Sequence, residues 1–350
     1  MTAKKHRPTP GFFDADELLA RVAQTDHVLF RIDKLVEWER FRPILDEVFK
    51  IVPKKPGGRP PYDRMMMFKV MVIKHLYNIP DGQMEIRLLG DLHYRVFLGL
   101  SMADATPDEN TIWLFHNKLC QSGVILELFD AFDAQLLQQG LVAQEGRSVD
   151  ATIVPVPIQR VTKKERETIK RGDTPEEWKQ NPAILRQRDT DAAWTKKHGK
   201  SYFGYKNHIK MDEKKKLIRT FEVTPANVHD SQPVGILLNE EDTGQPLYGD
   251  AAYVGDPIRQ MLRGLKMKDC RHAKATKNEP LSRYQKRANK AKSKIRARVE
   301  HVFGAMRMKM GDIRIRSIGV ARVTFVIGMR NILYNMCRAD FLRRMQIRTA

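Results

Sequence analysis

A chain of 350 residues with 42% hydrophobic content can build two or three domains with real cores, and no apolar run approaches the roughly 20 residues that span a bilayer. The start, MTAKKHRPTPGFFDADELL, lacks the hydrophobic segment of a signal peptide, so a cytoplasmic protein is expected. The net charge is +20, and residues 251–350 hold 25 Lys and Arg against 6 Asp and Glu, a clustering that suits a phosphate backbone; a membrane-surface helix is disfavoured because residues 283–300 lack a Trp/Phe/Leu face.

Residues 1–140 read as a helical N-terminal domain. Asp14 to Val28 and Leu35 to Phe49 place apolar residues at three- and four-residue steps, which predicts two helices. Pro53 to Pro61 is a basic Pro/Gly linker or loop, followed by helices over Tyr62–Tyr77, with its Met65-Met66-Met67 triplet, and Gly82–Leu98. Thr106-Pro107-Asp108-Glu109 has capping-box spacing with proline at the first helical position, so a helix carrying Trp113 and Phe115 starts there. A further amphipathic helix over Val124–Gln139 ends at Gly140. Cys120, Cys270 and Cys337 are scattered, with neither a disulfide framework nor a zinc spacing.

The period changes near Arg147. Ser148 to Pro155 is short and β-branched, a strand carrying Asp150. Residues 158–200 are charged and poor in apolar side chains, which reads as a loop or insertion. Tyr202–Met211 and Leu217–Val223 form a hairpin, Val228–Leu238 a helix, Gln245–Asp250 a short strand ending in a carboxylate, Asp256–Leu265 a helix and Leu265–Arg271 a strand. A helix then runs to Met310 from a capping box of Ser282 and Gln285. At about 100° per residue, Ser293, Arg296, Glu300 and Arg307 share one arc of it, and an i,i+4 pair of Arg296 with Glu300 is the plain explanation of that arc.

The expected architecture is therefore α/β: an all-helical domain over residues 1–140, a second domain with a mixed sheet flanked by helices over 141–310, and a C-terminal strand and helix over 311–350. Asp150 in the first strand, Asp250 at the end of a later one and Glu300 on the closing helix can meet at one sheet edge. Oxygen ligands of this kind suit Mg²⁺ or Mn²⁺, and two such ions about 3.5–4 Å apart can drive an in-line phosphoryl transfer.

Seven segments carry a resemblance: Gly58-Arg-Pro-Pro-Tyr62, Leu76 to Gly82, Val149-Asp-Ala-Thr-Ile153, His198 to His208, Thr224-Pro-Ala-Asn-Val-His-Asp230, Gly249-Asp-Ala-Ala-Tyr253 and Ile295 to Gly304. In this order the chain resembles the DDE transposases of bacterial insertion sequences, most closely insertion-sequence family 5, over roughly residues 55–340. The resemblance implies an RNase H-like catalytic domain, a triad of Asp150, Asp250 and Glu300 holding Mg²⁺ or Mn²⁺ as two ions, and double-stranded DNA as partner, bound by a homodimer. DNA contacts are then expected from Arg296, Arg307, Lys206, Lys196, Lys197 and His301. Ser293 stands where the family often has Tyr, and Ala252 where many relatives have Gly. Asp230 is a neighbouring rival for the role of Asp250. Two alternatives stay open: a structure-selective DNA nuclease of the same fold, and a transposase-derived DNA-binding regulator without catalysis.

Overall fold

The computed structural model describes residues 14–50, 60–197, 199–275, 280–313 and 315–349, and the chain divides into two compact units at Lys118/Leu119. Residues 53–59 of the basic Pro/Gly segment, with Gly58 and Arg59 of the first motif, lie outside the described residues, as does His198.

The first unit is helical: α1 Asp14–Ala23, α2 Val28–Leu35, α3 Arg42–Val48, α4 Arg64–Leu76, α5 Asp81–Gly90, α6 Leu92–Leu98 and the greater part of α7 Glu109–Ser122. Its core gathers Phe41, Phe68 and Phe97 around Trp38, with edge-on ring contacts from Trp38 to Phe68 and Phe97. The helix expected over Gly82–Leu98 is two helices, because the Asp91 side chain accepts the N–H groups of His93 and Tyr94 and opens α6. At the start of α7 the acceptor is Asp108, which takes the Thr111 N–H at 2.7 Å, so the helix begins at Glu109 rather than at Pro107.

The second unit contains α8 Ile125–Gln138, β1 Arg147–Pro155, α9 Lys163–Lys170, α10 Glu176–Gln180, α11 Pro182–Leu185, β2 Ala193–Lys197, β3 Lys200–Asp212, β4 Ile218–Pro225, α12 Val234–Leu237, β5 Pro246–Tyr248, α13 Asp256–Gly264, β6 Lys268–Asp269, α14 Arg283–Met310 and α15 Val320–Thr349. The sheet runs β2-β3-β1-β5-β6, with β4 also paired to β3. β1 is antiparallel to β3 and parallel to β5, and β5 is parallel to β6. This is the mixed sheet flanked by helices expected of an RNase H-like domain.

On one face Val149 and Leu247 meet Val234 and Leu237 of α12 and Ile258 and Leu262 of α13. On the other, α15 packs against β4 and α8. Gly328 permits that approach, since a Cβ there would stand 2.2 Å from Ile125 Cγ1, and Phe129 meets Phe221 edge-on. α8, which the sequence places in the N-terminal domain, thus packs within the second unit.

Three other expectations change. Residues 158–200 are not a plain loop: Thr162 and Glu165 form a capping box, and buried Trp178 donates its indole N–H to Glu165 at 2.7 Å. β2 then adds to β3. The helix expected over Val228–Leu238 is only α12, because Pro233 can begin a helix but cannot continue one. Residues 311–350 supply no strand among the described residues; they supply the 30-residue α15, fixed by Asn331 to Asn207 at 3.0 Å and by Asn335 to both backbone groups of Ile218. No helix among the described residues is long and apolar enough to cross a membrane.

Candidate active site

β5 pairs with β1 only at Leu247 and Tyr248, and the chain leaves the sheet at Gly249 while β1 continues. Parallel strands that part at their carboxyl ends open a crevice there. Asp150 lies on β1 beside it, opposite Ile209 of β3, and its Oδ1 accepts the Ala151 N–H at 2.8 Å. Asp250 caps the short turn Ala251–Tyr253, accepting the Ala252 N–H at 2.8 Å. The third acid, Glu300, sits on α14, which opens on the expected Ser282 and Gln285 capping box.

Arg296 joins two of the acids. Its Nη1 lies 3.6 Å from Asp250 Oδ2 and its Nη2 3.1 Å from Glu300 Oε1. The pair within α14 read from the sequence is present, and the same guanidinium extends to Asp250. Burial pushes the Asp150 carboxyl up to about 6; the Ala151 N–H, Arg296 and Lys197 pull against that shift, while Asp250 adds to it. Among the described residues no three His, Cys, Asp or Glu side chains form a group that could hold a metal ion, so the three carboxylates are neighbours around Arg296 rather than a closed set of ligands.

The other expected residues are placed differently. Lys196 and Lys197 are exposed on β2. Lys206 donates to Asp230 and to the Val228 carbonyl, both at 2.7 Å, so the rival acid Asp230 is neutralised by its own lysine. Arg307 shares the arc of Glu300 but pairs with Asp312 at 3.0 Å, both exposed. His301 borders a cavity of about 410 Å³ with Tyr334 and Phe341 of α15.

Sequence reasoning missed the anchorage of α14. Asn289 takes both backbone groups of Ala273, at 2.9 and 3.0 Å, and Lys292 donates to the Arg271 carbonyl at 2.8 Å. His272 lies between these residues: its N–H donates to the Gly249 carbonyl at 3.1 Å, and its Nε2 is 3.3 Å from Ser293 Oγ. The Ser293 hydroxyl donates to the Asn289 carbonyl at 2.9 Å, so in this contact the serine oxygen accepts and His272 Nε2 donates. Segment 271–273 therefore ties the Glu300 helix to the residue preceding Asp250. The buried Tyr253 hydroxyl has no hydrogen-bond partner, and its pKa is raised first by burial and then by Asp150, Asp230 and Asp250.

His208, fully buried on β3, contacts Thr224 Oγ1 through Nε2 at 2.9 Å, while Nδ1 has no partner. Burial lowers its pKa from 6.5 to about 4; Lys206 adds to the shift and Asp230 opposes it. The folded state therefore binds the proton more weakly than the unfolded chain, so this contribution to stability is complete above pH 6.5 and is lost as the pH falls toward 4. Chemical denaturation at pH 6.5 and pH 5 is expected to show wild type losing about 2 kcal/mol more than His208→Leu. Equal losses would remove His208 as the cause.

A family model described as "Transposase DDE domain" matches residues 143–336, and one described as "Transposase domain (DUF772)" matches residues 16–118. Among solved structures, the chain is similar at 12% identity to the piggyBac transposase synaptic complex with hairpin DNA, over 91% of this chain and 73% of that one, with a TM-score of 0.40. It is also similar at 12% identity to the Mos1 strand transfer complex, over 86% and 85% of the two chains, with a TM-score of 0.25.

Proposed function

The chain belongs to the transposases that carry a DDE domain, and from that premise we propose that it is a DNA transposase of insertion-sequence family 5, with Asp150, Asp250 and Glu300 as its catalytic acids. The observation that carries the assignment is the Arg296 guanidinium, which links Asp250 to Glu300 and whose charge also reaches Asp150. One cation thus serves acids from β1, from the turn after β5 and from α14.

The acids stand around Arg296 without closing into a ligand group, yet the chemistry of the donors suits a hard divalent cation. All three ligands are oxygens, and Asp150 is held partly buried beside a second carboxylate, where a cation would stabilise its charged form. Mg²⁺, with Mn²⁺ able to replace it, would be held by these three acids, as a pair of ions. When bound, it supplies Lewis acidity at phosphorus-bound oxygen and lowers the pKa of an attacking water or 3′-hydroxyl. The protein's own groups do the rest. Ala151 N–H and Ala252 N–H orient Asp150 and Asp250, and the 271–273 anchorage fixes the helix that bears Glu300. Exposed Lys196 and Lys197 offer phosphate contacts beside the acids, and Arg307 can join them by leaving Asp312. Lys206 serves by holding Asp230, and His301 contacts DNA only where the duplex extends over the α15 side of α14.

The reaction is cleavage at the element's ends followed by attack of the released 3′-hydroxyl on target DNA. Two ends must be held together, which calls for a homodimer on DNA, with the N-terminal helices reading the terminal repeats and the protein acting in the cytoplasm. A labelled terminal-repeat duplex incubated with Mg²⁺ tests the reading: wild type should cut at the repeat end, and Glu300→Ala should bind the duplex without cutting it. Binding without cleavage by wild type would leave a regulator, and cleavage of branched DNA regardless of terminal sequence would leave a nuclease.

A further inference from the structure

Arg296 makes its two contacts with two different nitrogens, one to each acid, in the manner that the planar fork of arginine allows and a lysine cannot match. It thereby occupies Asp250 Oδ2 and Glu300 Oε1, carboxylate oxygens of two acids that would hold a divalent cation. The backbone of α14 is fixed by Asn289 and Lys292, whereas the Arg296 side chain is a quarter exposed and Glu300 is 61% exposed. The part of this arrangement that can change without moving the helix is therefore the arginine side chain.

We propose that Arg296 competes with the divalent cation for Asp250 and Glu300, and that cation binding hands the guanidinium to a DNA phosphate. This rests on the assignment of those acids as metal ligands. A guanidinium and a divalent ion drawn to the same carboxylate oxygens repel each other, so each weakens the other's hold on them. A displaced Arg296 keeps its charge and, at the edge of the acid cluster, meets the phosphodiester backbone as a bidentate donor. Cation and DNA binding then become positively coupled through one side chain, and the coupling is reciprocal.

Mn²⁺ binding to the full chain without DNA, followed by electron paramagnetic resonance of the free ion, tests this. Arg296→Gln is expected to bind Mn²⁺ about fivefold to tenfold more tightly than wild type, the loss of two partly exposed ion pairs. Arg296→Lys, which can reach only one acid at a time, should fall between them and provides the measurement should the glutamine variant fold poorly. Duplex affinity should rise when Ca²⁺ is added to wild type, and this gain should be absent from Arg296→Gln. Equal or weaker Mn²⁺ binding by both variants overturns the proposal, as does an unchanged Ca²⁺ gain. If Glu300→Ala has lost cleavage in the same preparations, the functional reading stands and only the competition falls.

Discussion

Asp150→Asn is expected to lose DNA cleavage by more than about 100-fold, the range that follows changes even to groups outside a metal's own ligands, and yet to be more stable than wild type in metal-free buffer at pH 7. The gain follows from the raised pKa. A carboxyl ionising at about 6 in the folded protein and at 3.8 in the unfolded chain carries an ionised form that the fold disfavours. That cost is absent below pH 3.8, grows between 3.8 and 6, and is constant above. Discounted for partial exposure, it is about 1–2 kcal/mol. Asparagine keeps an oxygen for the Ala151 N–H and removes the charge. Melting curves with chelator from pH 4 to 8 should show the variant's advantage opening across that window. Adding Mg²⁺ should then stabilise wild type alone, since only it retains all three acids to bind the ion. A wild type more stable than Asp150→Asn without metal at pH 7 would refute the account.

How much of this was legible before the structure depends on whether the cause was local. The Glu300 helix was, because Ser282, Gln285 and the absence of Gly or Pro up to Gly304 act within a few residues. β1 and the β3–β4 hairpin were, because β-branched alternation and a polar turn are equally local. α15 was legible only in part: a strand and a helix were expected over 311–350, and because the helix is buried on most sides from Val323 to Ala339, no single apolar face marks its full length. β2 has little apolar alternation of its own and exists through its register with β3. At the site, the Arg296–Glu300 pair was visible as a four-residue spacing, whereas its contact with Asp250 depends on where β5 ends. The His272 contact with Ser293 left no trace in the sequence, because it depends on the path of the chain after β6.

Asp242 was equally invisible, and its loss should do the opposite of the loss of Asp150. Its Oδ1 accepts from Arg147 Nε at 2.7 Å, and its Oδ2 accepts from Lys210 Nζ at 2.7 Å and from the Asn239 N–H at 3.1 Å. All three side chains of the ion cluster are almost fully buried. Arg147 opens β1 and Lys210 lies opposite Val149 on β3, so this one carboxylate joins the two strands that frame Asp150 to the turn before β5. Asp242→Ala would strand two buried cations. Burial already lowers the Lys210 pKa with Asp242 as its chief opponent, so Lys210 can shed its proton; Arg147 cannot. Removing one partner of such a cluster costs about 3–5 kcal/mol, a large part of the roughly 5–15 kcal/mol that holds a domain together. Urea denaturation should show that loss, and any remaining cleavage should track the folded fraction. Adding Lys210→Met to Asp242→Leu should recover part of it, because a buried charge is removed along with its partner. A single variant within about 1 kcal/mol of wild type would mean that water reaches Arg147 and that the cluster is not the tie between β1 and β3 described here.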